Sequence, residues 1–257
     1  METNIYKIDP WEIIEEGWDP SKVMGSESIF SIGNGAMGQR ANFEEDFSGK
    51  TFKGSYIGGI YYPDKTKVGW WKNGYPEYFA KVINAPNWIG ISILIDGIPL
   101  DLNKVDKIEK FERKLDMKNG LYERSISINT NNNLKVEIDS KRFLSMKRKH
   151  IGAISYNIKC SRDVKITLSP YIDFDVSNDD SNWDEKFWET TEKINTLNKS
   201  LVKSKVKKTG FKVITYMKAD LYDNNVKLEK PFIAKSNSKK ILLELDFAIK
   251  GFSSLTL

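Results

Sequence analysis

From Trp88 onward the chain alternates apolar and polar residues with a period of two, the pattern of strands that bury one face. Ile91, Ile93 and Ile95 run into Asp96-Gly97, and Ile98, Leu100 and Leu102 return, which predicts a hairpin closed by a two-residue turn. Residues 120–128 and 134–146 predict a second hairpin around 129–133, with Leu134, Val136 and Ile138 on one face. Residues 151–160 and 164–168 read as a third pair joined at Ser161-Arg162-Asp163. Period-two or unbroken β-rich runs recur at 201–206, 211–222, 230–235 and 240–251, and only 183–197 reads as a helical or irregular insertion. Upstream, Trp11, Ile13, Ile14 and Trp18 precede the turn signal Asp19-Pro20, and the Gly-, Tyr- and Trp-rich stretch 50–90 suits exposed aromatic loops with short strands. Many short strands with regular turns predict an all-β antiparallel sandwich or barrel.

The densest backbone signal is ESIFSIGNGAMGQRANFEE at 27–45. Ser-Ile-Phe-Ser-Ile at 28–32 reads as a short strand, and Gly33, Gly35 and Gly38 follow, positions where the backbone turns at positive φ or is closely approached. The spacing formally matches G-x-G-x-x-G. That motif needs a helix opening at its third glycine inside a βαβ unit. Here no apolar period of 3.6 follows Gly38, so a tight turn between two strands is expected instead.

Read together with Asn34, Arg40, Asn42 and Phe43, this stretch resembles the opening of glycoside hydrolase family sixty-five, the maltose, trehalose and kojibiose phosphorylases. Further blocks follow in order: GSYIGGIY at 54–61, VINAPNW at 82–88, LDMKNG at 115–120, RFLSM at 142–146 and DEKFW at 184–188. Two departures mark a divergent member: Ala36, where the family has an aromatic such as Tyr, and Ala41, where a glycine often follows the arginine. The resemblance is to the family's N-terminal domain and implies one large two-sheet β super-sandwich over residues 1–257. It also implies that the general-acid Glu lies outside this chain, in an (α/α)6 helical barrel that follows the domain. Partners so implied are that catalytic domain, a disaccharide, inorganic phosphate as co-substrate with no cofactor, and a homodimer.

Composition narrows the function classes. The 257 residues carry 40% hydrophobic and 29% charged residues, an ordinary globular balance. A net charge of +5 is modest and spread along the chain, which does not suggest nucleic-acid binding. Aromatic content of 12%, with seven Trp, suits a β core or sugar-binding faces. No apolar run approaches the roughly 20 residues of a membrane span, and the N-terminus lacks a basic and then apolar leader. With a lone Cys160 in an alternating run, a reducing, cytoplasmic setting is expected, which makes the Asn198-Lys199-Ser200 sequon irrelevant.

Candidate chemistry is sparse. Asp173, Asp175, Asp179, Asp180, Asp184 and Glu185 crowd together, but a calcium loop starting at Asp173 would put Asn178 where glycine is needed and Asp184 where a bidentate Glu is needed. A solvated acidic loop or a glycosidase-type carboxylate pair is left. His150 is the only histidine, so neither a His-based metal site nor a choice of triads arises, and it is expected to be structural or exposed at the start of a strand. Lys203, Lys205, Lys207 and Lys208 read as the solvated face of a strand. Substrate-proximal candidates are Asn178, Asp179, Asn182, Trp183, Asp184, Lys186 and Trp188, whose aromatic faces and polar ends suit pyranose C–H surfaces and hydroxyls; packing on the sandwich rim is the alternative for the two tryptophans. Gly33, Asn34, Gly35, Gly38 and Arg40 form a structural motif. Three functions follow: an accessory domain of a phosphorylase with negligible sugar affinity of its own, a free-standing sugar-binding sandwich using Trp70, Trp71, Trp183 or Trp188, or a glycosidase working through the 173–185 acids.

Overall fold

The computed structural model describes residues 6–66, 74–130, 132–179, 181, 185–197 and 199–257. The period-two pattern becomes sheet almost throughout. In β12 (Lys135–Leu144) every second side chain, from Val136 to Leu144, is buried and the intervening ones are exposed. It lies inside a nine-stranded sheet of order β1 (Tyr6–Ile8), β2 (Glu12–Glu16), β10 (Lys107–Asp116), β11 (Leu121–Asn129), β12, β13 (Gly152–Cys160), β22 (Ser254–Thr256), β18 (Leu221–Asp223) and β19 (Val226–Leu228). A five-stranded sheet runs β20 (Ile233–Ser236), β21 (Lys240–Ile249), β14 (Val164–Asp173), β8 (Ile91–Ile95) and β9 (Ile98–Pro99). Ile126, Ile128, Val136, Ile138 and Ile158 of the first sheet meet Ile93, Ile166, Leu168, Leu243 and Leu245 of the second in one buried cluster. Each such side chain contributes about 1.5–3 kcal/mol on leaving water. The all-β sandwich expected from the alternation is the observed architecture.

Three small sheets flank it: β15 (Trp188–Thr196), β16 (Lys199–Val206) and β17 (Lys212–Lys218); β3 (Ile32–Gly33), β4 (Met37–Gln39) and β5 (Ser55–Ile57); and the ribbon of β6 (Tyr61–Lys65) and β7 (Tyr78–Val82). One short helix, α1 (Val23–Ile29), is present among the described residues. The Asp96-Gly97 turn forms as expected, with both residues at positive φ, 49° and 81°. β11 and β12 pair as the expected hairpin, with Ile126 opposite Ile138 and Ile128 opposite Val136.

Three expectations need correction. Residues 28 and 29 close α1 rather than forming a strand, and the strand is only Ile32–Gly33. β13 and β14 do not pair: the first belongs to the nine-stranded sheet and the second to the five-stranded one. Their short connection crosses the sandwich instead, tied down by Asp96, which accepts from the Lys165 backbone N–H at 2.9 Å and from Arg162 at 3.2 Å. A period of two fixes a strand but not which neighbour it chooses. Finally, Trp188–Thr196 is a strand, not a helix; its WETTEKINT run is mostly exposed, so no buried face announced it.

The inner face of the large sheet carries an unexpected polar ribbon. Arg113 and Arg124 are cross-strand partners, Glu15 faces Arg113, and Ser140 lies between Arg124 and Tyr156. Arg113 pairs with Glu15 at 2.5 Å, with both side chains 1% exposed. Arg124 meets Glu44 and Glu45, each at 2.7 Å, and Arg142 reaches Glu44 at 3.3 Å. Tyr156 donates its hydroxyl to Glu45. Burial opposes the charge on Arg124, but Glu45 and Glu44 outweigh it and raise its pKa, so it stays protonated. Phe43 lies under two of the guanidiniums, its centroid 5.0 Å from Arg124 and 5.5 Å from Arg113.

Removing one partner from such a network strands the others without water. Arg124→Ala is expected to lower the unfolding free energy by about 3–5 kcal/mol. Lys141→Ala removes a side chain that is 60% exposed and pairs with Glu123, and it should cost less than about 1 kcal/mol. Denaturant titration of both variants decides the matter; equal losses would sink the assignment of the ribbon as the fold's electrostatic centre.

Candidate functional site

The glycine-rich stretch is a β-hairpin. Ile32 pairs with Gln39 and Gly33 with Gly38. Of the three glycines only Gly35 takes positive φ, at 83°. Asn34 shapes the turn: its Oδ1 accepts from the backbone N–H groups of Ala36 at 3.0 Å and Met37 at 2.8 Å. Its Nδ2 donates to the carbonyls of Ser145 at 2.9 Å and Lys149 at 3.0 Å, pinning the hairpin to the turn between β12 and β13. Arg40 donates to the carbonyls of Phe52 at 2.7 Å and Met24 at 3.1 Å and lies over the Phe52 ring. No helix opens after Gly38, so the motif holds strands together and offers no phosphate cradle.

A second knot forms at Asn84. Its Oδ1 accepts from the Ser55 N–H at 3.2 Å, and its Nδ2 donates to the carbonyls of Lys53 at 3.0 Å and Ser177 at 2.9 Å. Its backbone N–H donates to Asn178 Oδ1 at 2.9 Å, and its carbonyl accepts from the Trp188 indole. Asn178 also donates to the Val82 carbonyl at 3.0 Å. Trp188 is 8% exposed and packs with Tyr62, Phe187, Val206 and Val213. Asn178 and Trp188 are thus hydrogen-bonded to neighbouring backbone, and Trp188 is buried. Lys186 pairs with Asp175, and Asp179 is exposed. Asn182, Trp183 and Asp184 lie outside the described residues, as do Trp70, Trp71, Asp180 and Asn198. Sequence reasoning missed Asn84 as a hub, because one asparagine in a loop carries no periodic signal.

The acids nearby are held by lysines rather than by each other. The hydrogen bond from Lys186 keeps Asp175 below the usual carboxylate range. Glu185 accepts from Tyr62 and lies 3.4 Å from Lys208, whose ammonium sits 4.6 Å from the Tyr62 ring centroid. Burial, and then Glu185, raise the Tyr62 pKa. Among the described residues no group of His, Cys, Asp and Glu is arranged to hold a metal ion. His150 is exposed in the turn before β13 rather than at the start of a strand. Cys160 is free and buried, and burial pushes its thiol up to about 12.

Beside these knots lies an open apolar ledge. In the β6–β7 ribbon, Tyr62 and Lys81 face inward, while the pairs Tyr61–Val82, Pro63–Ala80 and Lys65–Tyr78 take the other face. Tyr61, Tyr78 and Val82 are 42%, 49% and 50% exposed. The ledge continues into a cavity of about 270 Å³ lined by Gly35, Met37, Gly38, Gly58 and Ile60.

The family described as "Glycosyl hydrolase family 65, N-terminal domain" matches residues 13–257. The chain is 47% identical to the maltose phosphorylase of Bacillus subtilis (strain 168) over 186 residues, 72% of this chain and 24% of that protein. It is 34% identical to the alpha,alpha-trehalose phosphorylase of Thermoanaerobacter brockii over 182 residues, 68% of this chain and 23% of that one. A solved structure from the human microbiome, whose name assigns it to kojibiose phosphorylase, superposes with a TM-score of 0.81 at 28% identity, covering 98% of this chain and 32% of that one. The chain therefore spans about a quarter of the length of these curated relatives.

The Asn84 knot is testable by itself. Asn84→Ala leaves the Ser55 N–H and two carbonyls without their partner and should cost about 2–3 kcal/mol, with faster amide exchange at Ser55. Asp179→Ala, at an exposed carboxylate, should stay within about 0.5 kcal/mol of the parent. Equal stabilities in a thermal melt would mean that the knot holds nothing.

Proposed function

Since the chain belongs to glycosyl hydrolase family 65, as its N-terminal domain over residues 13–257, we propose that it is the non-catalytic part of a disaccharide phosphorylase. The observation that carries this reading is one of extent: a family match along almost the whole chain, against relatives about three times as long. The residues support it. The motif asparagines and Trp188 hold backbone, and Asp175 and Glu185 face lysines. Glycosyl transfer requires a carboxylic acid placed to protonate a leaving oxygen, whereas Asp175 and Glu185 each lie against a lysine.

On the family resemblance the chemistry then belongs to a helical remainder. There a phosphate oxygen attacks C1 of a glucosyl unit from the face opposite the glycosidic bond. The C1–O bond breaks, and a general acid delivers its proton to the departing sugar. The products are a β-sugar phosphate and glucose, and no cofactor is consumed. The higher identity to maltose phosphorylase favours maltose among α-linked glucose disaccharides. The role of this domain is to shape the active-site entrance through the loop around Asn178 and to contact the catalytic domain or a second subunit through the Tyr61–Tyr78–Val82 ledge. A cytoplasmic setting accords with the free Cys160 thiol.

Phosphate consumption with maltose, trehalose and kojibiose tests this directly, comparing the 257-residue chain with the product of its full reading frame. Activity confined to a longer product, highest with maltose, is expected. Turnover by the 257-residue chain would overturn the accessory reading and direct attention to Asp175, Asp179 and Asp184.

A further inference from the structure

A different groove, on the far side of β13 from the polar ribbon's neighbours in β11, gathers unused aromatic chemistry. It has a volume of about 400 Å³ and is lined among others by Trp88, Gly152, Tyr216, Lys218, Asp220 and Tyr222. These residues come from four places in the chain: the segment before β8, the start of β13, the end of β17 and the approach to β18. Trp88 is half-buried, with one side packed on the cluster of Phe30, Tyr122 and Leu144. Its six-membered ring covers Gly152, where an added Cβ would sit 2.4 Å from the indole Cη2; glycine is what lets the ring lie there. Tyr216 is 54% exposed. Among the described residues, the Trp88 indole N–H and the Tyr216 and Tyr222 hydroxyls make no hydrogen bond, whereas buried Trp188 and Tyr62 have both found partners.

At one end of the groove, Asp220 lies 3.0 Å from Lys218 and 3.2 Å from Lys227, and hydrogen bonding to Lys218 leads the effects that hold its carboxyl below the usual range. Asp220, together with Glu229 acting on Lys227 from further off, offsets the two lysine charges, which suits an uncharged ligand. Rings with unspent polar ends, a carboxylate able to accept from hydroxyls and ammoniums able to donate to them match a ligand that is apolar on its C–H faces and hydroxylated at its rim. The volume falls within the range of small-ligand sites, which begins at about 300 Å³.

We infer that the groove formed by Trp88, Tyr216, Tyr222 and Asp220 is a carbohydrate subsite that takes a neutral glucoside. It stands apart from the Asn178 loop and from the apolar ledge. It gives the chain a direct sugar affinity in place of the negligible one expected of an accessory domain from the sequence, and it does not rest on that role: binding here and phosphorolysis by a longer protein are measured separately.

Amide chemical-shift mapping on the 257-residue chain, titrated with maltose and with inositol as a polyol control, tests the assignment. Maltose is expected to shift resonances at 152–155 and 216–222 saturably, and inositol far less. Tyr216→Ala, which removes an exposed ring without touching the core, should weaken the maltose dissociation constant by about five- to tenfold. Asp220→Asn should weaken it as well, with the dispersion of the rest of the spectrum unchanged. No saturable shift, shifts confined to other faces, or affinity unchanged in both variants would each overturn the subsite.

Discussion

Three guanidiniums on the inner face of one sheet are the constraint to which the rest of the structure answers. Arg113, Arg124 and Arg142 sit on successive strands of the nine-stranded sheet, with side chains between 0% and 1% exposed. Left alone they would repel one another without solvent to screen them, and each would retain a large desolvation cost. The carboxylates of Glu15, Glu44 and Glu45 make the arrangement tolerable, and two of the three come from one irregular segment. That segment therefore has to lie across the sheet at one height. The carbonyls of Arg40 and Asn42, which accept from Arg142 at 3.3 and 3.4 Å, fix its path further.

Once 40–45 is fixed, its neighbours have little freedom. The β3–β4 hairpin immediately upstream is held against the β12–β13 turn by Asn34. Downstream, the Gly54 carbonyl accepts from the Arg40 N–H at 2.9 Å and the Ser55 carbonyl from that of Ala85 at 2.7 Å, which delivers Asn84 to its place between β5 and Trp188. The blocks at 27–43, 54–61, 82–88 and 142–146 and the described residues 185–188 are thereby one hydrogen-bonded seam. Residues that look like functional markers in the sequence are there because irregular backbone must have its polar groups satisfied.

This explains which parts were legible beforehand. Alternation in 91–102 and 120–146 is a local property and gave β8, the Asp96-Gly97 turn, β11 and β12, although the return strand β9 stops at Pro99 and leaves Leu100 and Leu102 outside it. The Gly33–Gly38 hairpin was readable because a missing helical period is also local. The β13–β14 crossover was not, since pairing partners depend on a contact with Asp96 some seventy positions away. Nor was the strand at Trp188–Thr196, whose exposed polar face obeys no burial pattern. The arginine ribbon was hidden for a subtler reason: a buried Arg in alternating register looks like the polar face of the strand. Of the site, Trp188 was singled out and given rim packing as one of two roles, while Asn84 stood only as one residue of the block at 82–88, its part as a hub unread.

A polar seam is a costly way to hold a sandwich together, because apolar residues of the same volume would often serve stability as well. What it does supply is uniqueness of placement: each carboxylate and carboxamide has one geometry that satisfies it, so loops without regular structure gain defined positions. A domain needed only for bulk would have little use for that. In the accessory role we propose, Tyr61, Tyr78 and Asn178 have to be held at fixed positions, and a contact face tolerates little looseness in its support. The groove at Trp88 follows the same logic on a smaller scale. Its ring is set by core packing on one side and by Gly152 on the other, so its aromatic surface is already in place before any ligand arrives.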